Sequence, residues 1–349
     1  MAVALMALGL WLRGPRYEVI ELGTLGGAHA SAMSINNIGQ VVGLSKTSRT
    51  GNSSVDHAFM WDEEHGIRDL GTLGGASSWA NDINDKGEVV GSADTKDGPR
   101  HAFLWDVDRG MIDLGTLGGD RSDAYAINSK GQVVGCAETA DAQWHAFLWD
   151  ADGGMVDLGS PYGGRSQACD INEKGQVVGY VLKGRKSHAF YWDADAGMVD
   201  LVGANGPSSV ANGINNEGLI AGYIFDPQKN NYDACIWTGK GRVERFNTHA
   251  SESYGGKIND RGQMIGHVKE RKFLFFGASD YGFLRVENGR IINLDRYERS
   301  EEQQFQACGI NNDGWIVGDL RTYHTNVHRV VLLKPKGSGK PVSAARQDD

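Results

Sequence analysis

The chain lacks most of the features that announce an enzyme or a nucleic-acid binder. It has no Gly-x-Ser-x-Gly elbow and no His-Glu-x-x-His pair. The segment Gly179-x-x-x-x-Gly184-Arg-Lys-Ser187 imitates a phosphate loop, but Arg185 stands where that loop needs Lys and no helical pattern follows. Net charge is −9 and no basic run interleaves with aromatics, which argues against nucleic acid as a partner. Only four cysteines occur, Cys136, Cys169, Cys235 and Cys308. Cys169 and Cys308 share one register position in distant repeats, so a disulfide between them is not expected and all four read as small buried hydrophobes. No apolar run is long enough for a transmembrane span. Met1–Leu12 resembles the apolar part of a secretory signal without its basic front, so residues 1–15 read as a signal-like remnant or a frayed N-terminus. Residues 335–349 are expected to form a disordered tail. Helical periodicity is missing as well.

Repetition fills the rest. Ile-Asn-x-x-Gly, with a second Gly four residues on, starts at Ile35, Ile83, Ile127, Ile171, Ile214, Ile258 and Ile310. A period near 44 residues marks one supersecondary unit copied along the chain. The unit is clearest between Ala80 and Gly119. It predicts four short strands: a (ending at Ile83), b (Glu88–Ala93), c (His101–Asp106) and d (Met111–Leu114). Asn84-Asp85-Lys86-Gly87 supplies a tight a–b turn, and Gly110 marks the c–d turn.

The seventh copy stops after strand c. Tyr17–Leu22, ahead of the first copy, has the sequence of the missing d strand. The expected fold is all-β: a seven-bladed β-propeller of four-stranded antiparallel blades over residues 16–334, its ring closed by the N-terminal strand joining the last blade. An open β-solenoid is the rival architecture, though it would carry capping units at its ends.

His57-Ala-Phe-Met-Trp61 and the His-Ala-Phe triplets at His101, His145 and His188 accompany Gly-Thr-Leu-Gly-Gly and Ile-Asn-x-x-Gly-x-Val-Val-Gly elements. Together they resemble the HAF repeat family of bacterial extracellular repeat proteins, over residues 17–333. The resemblance implies a repeat protein outside the cytoplasm and carries no activity with it.

Propeller topology puts the a–b and c–d hairpins on one side of the ring, with the b–c and d-to-a connections on the other. The first set is uniform and reads as structural. The second varies, and varied loops on a rigid scaffold are where binding resides. The d-to-a connections lose their Gly-Thr-Leu-Gly-Gly pattern before blades 4 to 7. Residues there and on nearby b–c loops make a candidate ligand groove: Tyr162, Arg165, Tyr232, His249, Glu252, Tyr254, Arg296, Tyr297, Arg321, Tyr323 and His324. Tyr stacks on sugar or peptide faces, and Arg grips carboxylates.

The recurrent His57, His101, His145, His188 and His328 are spread around a ring, which predicts a structural hydrogen bond rather than a metal centre. Asp106-x-Asp108-x-Gly110 and its copies at Asp150 and Asp193 resemble Ca²⁺ loops but lack the distal Glu; each also fits a polar hairpin, so no cofactor is expected beyond a residual case for calcium.

The sequence therefore predicts a monomeric, extracellular or periplasmic binding module for a polysaccharide, peptide or partner protein. The alternatives are a polysaccharide lyase or glycosidase with a Tyr/His/Arg or carboxylate site at the channel mouth, and a cytoplasmic interaction scaffold.

Overall fold

The computed structural model describes residues 16–47, 55–239, 241–246, 248, 251–269, 280–297, 303–322 and 328–337. Seven four-stranded antiparallel sheets follow one another around a ring. Each of the first six is a meander in chain order. The seventh joins Gln303–Ile310, Ile316–Thr322 and His328–Pro335 to the N-terminal strand Tyr17–Glu21. That strand pairs antiparallel with the last one, Tyr17 opposite Pro335 and Glu21 opposite Val331. The chain is a closed seven-bladed β-propeller, and a solenoid is ruled out. Apart from one 3-10 turn at Asp295–Tyr297, no helix appears among the described residues.

Successive a strands contact one another around the axis, whereas d strands lie at the rim. The core is a set of seams between blades. In five seams a fully buried Phe from strand c (Phe59, Phe103, Phe147, Phe190 or Phe283) packs among Val, Ala and Ile of neighbouring strands. Trp237 fills the seam between blades 4 and 5, and Phe305 of strand a the seam between blades 6 and 7. Trp61 and Trp237 are buried, while Trp105, Trp149 and Trp192 flank the seams half-buried.

Two glycines per repeat have distinct causes. The first closes the a–b turn with positive φ, +85° at Gly39, its amide bonding back to Asn36 O at 3.1 Å. The second faces a β-bulge in strand a, which Asp82 follows in blade 2. There the register shifts by one residue and the strand a backbone approaches closely. A Cβ at Gly43, Gly91 or Gly135 would collide with the carbonyl oxygen of Ser31, Trp79 or Asp123.

The strands differ in length from expectation. Strand a of blade 2 runs Gly74–Ile83, so the closing Gly74-Gly75 of Gly-Thr-Leu-Gly-Gly already belongs to it. Strands b and c extend further than their apolar cores, as in Val177–Lys183 and Lys186–Asp193, which leave only residues 184–185 as a loop. Backbone pairing carries a strand through polar residues once a partner is aligned.

Candidate functional site

At the a–b end of the channel the seven motif asparagines form a closed ring. The Nδ2 of Asn36 donates to Asn84 O at 2.9 Å, and the same bond passes from Asn84 to Asn128, Asn172, Asn215, Asn259, Asn311 and back to Asn36. Each Oδ1 accepts amides of its own turn, as at Asn172, where Lys174 N and Gln176 N donate. A 170 Å³ cavity lies inside the ring, lined by six of these asparagines, the seven preceding isoleucines and several of the residues that follow. The ring asparagines are spent on one another, so the ring joins blades rather than presenting free groups to a ligand.

Charges meet within the channel. Lys257 of blade 6 reaches Asp170 of blade 4, Nζ to Oδ1 at 3.0 Å, spanning non-adjacent blades across the axis. Asp82 of blade 2 accepts from Ser34 Oγ at 2.6 Å and from Ile127 N at 3.0 Å. Burial raises the Asp82 carboxyl, and the Asp170 charge adds to this while Lys257 opposes it. Burial also works against the Lys257 charge, yet Asp170 and Asp82 outweigh it and lift the ammonium above its usual value. The site reads as a strut across the channel.

Ser, His and Asp recur together at the seams without forming a nucleophile. His57, His101 and His145 place Nδ1 2.8 Å from Asp69, Asp113 and Asp157, and His188 stands 2.9 Å from Asp200. The nearby serine is committed elsewhere: Ser78 Oγ donates to Gly71 O at 2.5 Å and accepts Ala58 N at 2.8 Å. A serine nucleophile needs its proton on a base; here the proton is spent on the Gly71 carbonyl of the connection, and the oxygen ties the blades by accepting Ala58 N. The aspartates of the c–d turns are similarly engaged, since Asp106 Oδ1 accepts Asp108 N and Arg109 N. Among the described residues no group of His, Cys, Asp and Glu converges to hold a metal ion.

The opposite mouth differs. Tyr223, Phe225 and Tyr232 of blade 5 meet Tyr254 and His267 of blade 6. Ring centroids lie 4.9 Å apart for Tyr223–Tyr254, 5.3 Å for Phe225–Tyr232 and 5.7 Å for Tyr232–Tyr254; His267 stacks on Tyr254 at 4.8 Å. Tyr254 OH donates to Glu252 at 2.9 Å. Burial, and then this carboxylate, push the Tyr254 phenol upward, while burial pushes the His267 imidazole downward. Phe225 and Tyr232 also line a 590 Å³ cleft between blades 4 and 5, with Arg185, Lys186, residues 205–208, Pro227 and Arg245.

Of the sequence-predicted residues, Tyr232, Glu252 and Tyr254 come together here. Tyr162 does not join them: its OH donates to Asp200 at 2.6 Å, and its ring packs edge-on to His188 and under Lys183. Arg165 lies over Trp144, with its guanidinium 5.3 Å from the ring centroid. Tyr297 packs edge-on against Tyr17 in the seam between blades 6 and 7, at 4.9 Å. Arg321 is exposed near Asp319 and His328. His249, Tyr323, His324 and the Arg296 side chain lie outside the described residues.

Sequence reasoning missed Tyr223, Phe225, His267 and the cationic trio of the cleft. A signal existed: the position after the second motif glycine reads Leu44, Ser92, Cys136, Tyr180, Tyr223, His267 and Asp319, so the repeat breaks inside strand b as well as in the loops.

A sequence-family profile described as a protein of unknown function (DUF3466) matches residues 30–163, less than half of the chain. No curated protein matches it. Among solved structures, the chain is similar to an acylaminoacyl peptidase from Pyrococcus horikoshii, at 13% identity and TM-score 0.56, over 90% of this chain and 53% of that one. It is also similar to TolB from Acinetobacter baumannii, at 10% identity and TM-score 0.46, over 91% and 66%, and to an Aleuria aurantia lectin, at 8% identity and TM-score 0.40, over 78% and 96%. The chain thus spans about half the length of the peptidase and 66% of TolB. These likenesses describe the fold alone.

Proposed function

We propose that this propeller is a binding module, working outside the cytoplasm as a HAF-type repeat protein, that recognises a polysaccharide on its variable-loop face. The carrying observation is the Tyr223–Phe225–Tyr232–Tyr254–His267 cluster, continuous through Phe225 and Tyr232 with the blade 4–5 cleft. Aromatic faces held by their neighbours stack on the C–H faces of sugars with little ordering cost. An open cleft suits a chain polymer that enters and leaves laterally.

Binding fits these groups better than catalysis does. A lyase that used Tyr254 as base would need its phenol to ionise easily, yet burial and Glu252 hold it protonated. A glycosidase needs a second carboxylate opposite Glu252; the acidic pair Glu301-Glu302, ahead of blade 7, lies outside the described residues.

A polysaccharide array with the full chain tests the reading, alongside an absorbance assay for unsaturated products. Tyr232→Ala should weaken the retained glycan by about tenfold, the scale of one lost stacking partner. Retention of peptides but no glycan would move the reading to a peptide binder. Turnover of any polymer would overturn the non-catalytic assignment.

A further inference from the structure

We infer that the blade 4–5 cleft selects acidic polysaccharide, engaging the carboxylates of uronic acid residues. This rests on the glycan-binding reading above. The chain carries 44 acidic against 35 basic residues, yet the cleft is lined by Arg185, Lys186 and Arg245 and by no acidic side chain. Arg185 and Lys186 sit at the tip of the b–c hairpin of blade 4. Neither has an ion-pair partner among the described residues, whereas Lys46, Arg68, Arg100, Lys229 and Lys257 all do. Arg245, on strand d of blade 5, is oriented by Asp226 at 3.5 Å.

The walls are fastened in place. Lys183 Nζ donates to Ala204 O at 2.6 Å, and the Ser187 and Ser208 hydroxyls pair at 2.9 Å, tying the 4–5 connection to the blade 4 hairpin. Ser208 O accepts Phe225 N at 2.8 Å, which ties the same connection to blade 5. Gly206 lies against the Val202 carbonyl, where a Cβ would collide. The cations therefore stand over a fixed floor of Phe225, Pro227 and Tyr232.

Sugar rings need an apolar face, and a carboxylate needs a guanidinium or ammonium beside it. The cleft offers both within one 590 Å³ space. A uronate polymer uses both on each residue. Neutral glycans would leave the cations unused, and an acidic peptide would leave the aromatic floor largely unfilled.

The experiment measures affinity of the full chain for polygalacturonate and for its carboxyl-reduced, neutral counterpart. Wild type should prefer the acidic polymer by about thirtyfold at low salt, falling as salt rises. The double variant Arg185→Ala/Lys186→Ala should cut that preference to about threefold while the urea midpoint stays unchanged. Equal affinity for the two polymers overturns the inference and leaves glycan binding standing. Tighter binding of a sulfated neutral polymer, or of polyglutamate, overturns the uronate assignment. Retention of no glycan overturns the binding-module reading as well.

Discussion

The two mouths of the channel share one scaffold and have opposite chemistry. At the a–b mouth, seven identical asparagines close a ring of side-chain-to-backbone bonds, and each blade repeats its neighbour. At the b–c mouth the repeat has lapsed, and blades 4 to 6 present an aromatic cluster beside a cationic cleft. Identity at one end holds the ring shut. Difference at the other end costs the fold little, because seams and turns elsewhere secure it. Between them Lys257 braces blade 6 against blade 4.

Substitutions can break this contrast. Lys257→Met should have the largest effect, about 3 kcal/mol, because it strands Asp170 and Asp82 inside the channel without their cation. Urea denaturation measures it; an unchanged midpoint would mean that channel water already solvates both carboxylates. Asn172→Ala comes next, at about 2 kcal/mol, since it leaves Asn215 O without its donor and Gln176 N without its acceptor. Glycan affinity should stay at the wild-type level in that variant. Affinity falling in step with stability would show that the two mouths are coupled.

The smallest effect is a pH dependence. Burial lifts the Asp295 carboxyl from 3.8 to about 6, although Phe305 N donates to it. The folded chain then holds this proton where the unfolded chain has released it. Its contribution is present below 3.8 and is lost as pH rises through about 6. Wild type should therefore lose stability relative to Asp295→Asn between pH 4 and 7 by on the order of 1 kcal/mol, after discounting for partial exposure. Parallel urea midpoints across that range would refute the assignment.

Much of the fold was legible because each blade repeats a local grammar. Alternating apolar residues between an Asn-Gly turn and a Gly-marked hairpin specify a four-stranded meander, and Tyr17–Glu21 completes the blade that ends at Pro335. The site was only partly legible. Tyr232, Glu252 and Tyr254 stood out where the repeat eroded, and they do meet. Tyr162 and Tyr297 lie on equally eroded connections, but their rings are held at seams, one on Asp200 and the other on Tyr17. Side-chain direction separates the two cases, and sequence spacing does not report it. Lys183-Gly-Arg-Lys186 is by itself a short basic turn, and only the 4–5 connection facing it makes it a cleft wall.

By itself the sequence determined the number of blades, the strand order and the closure of the ring, because turn chemistry and strand periodicity act over a few residues and each copy restates them. Tertiary structure alone decided which irregular residues meet. The bulge in strand a, the Asn ring, the Lys257 strut and the Tyr223–His267 cluster all join residues from different strands or blades. Their proximity follows from the curvature and packing of the ring, which no single copy of the repeat contains.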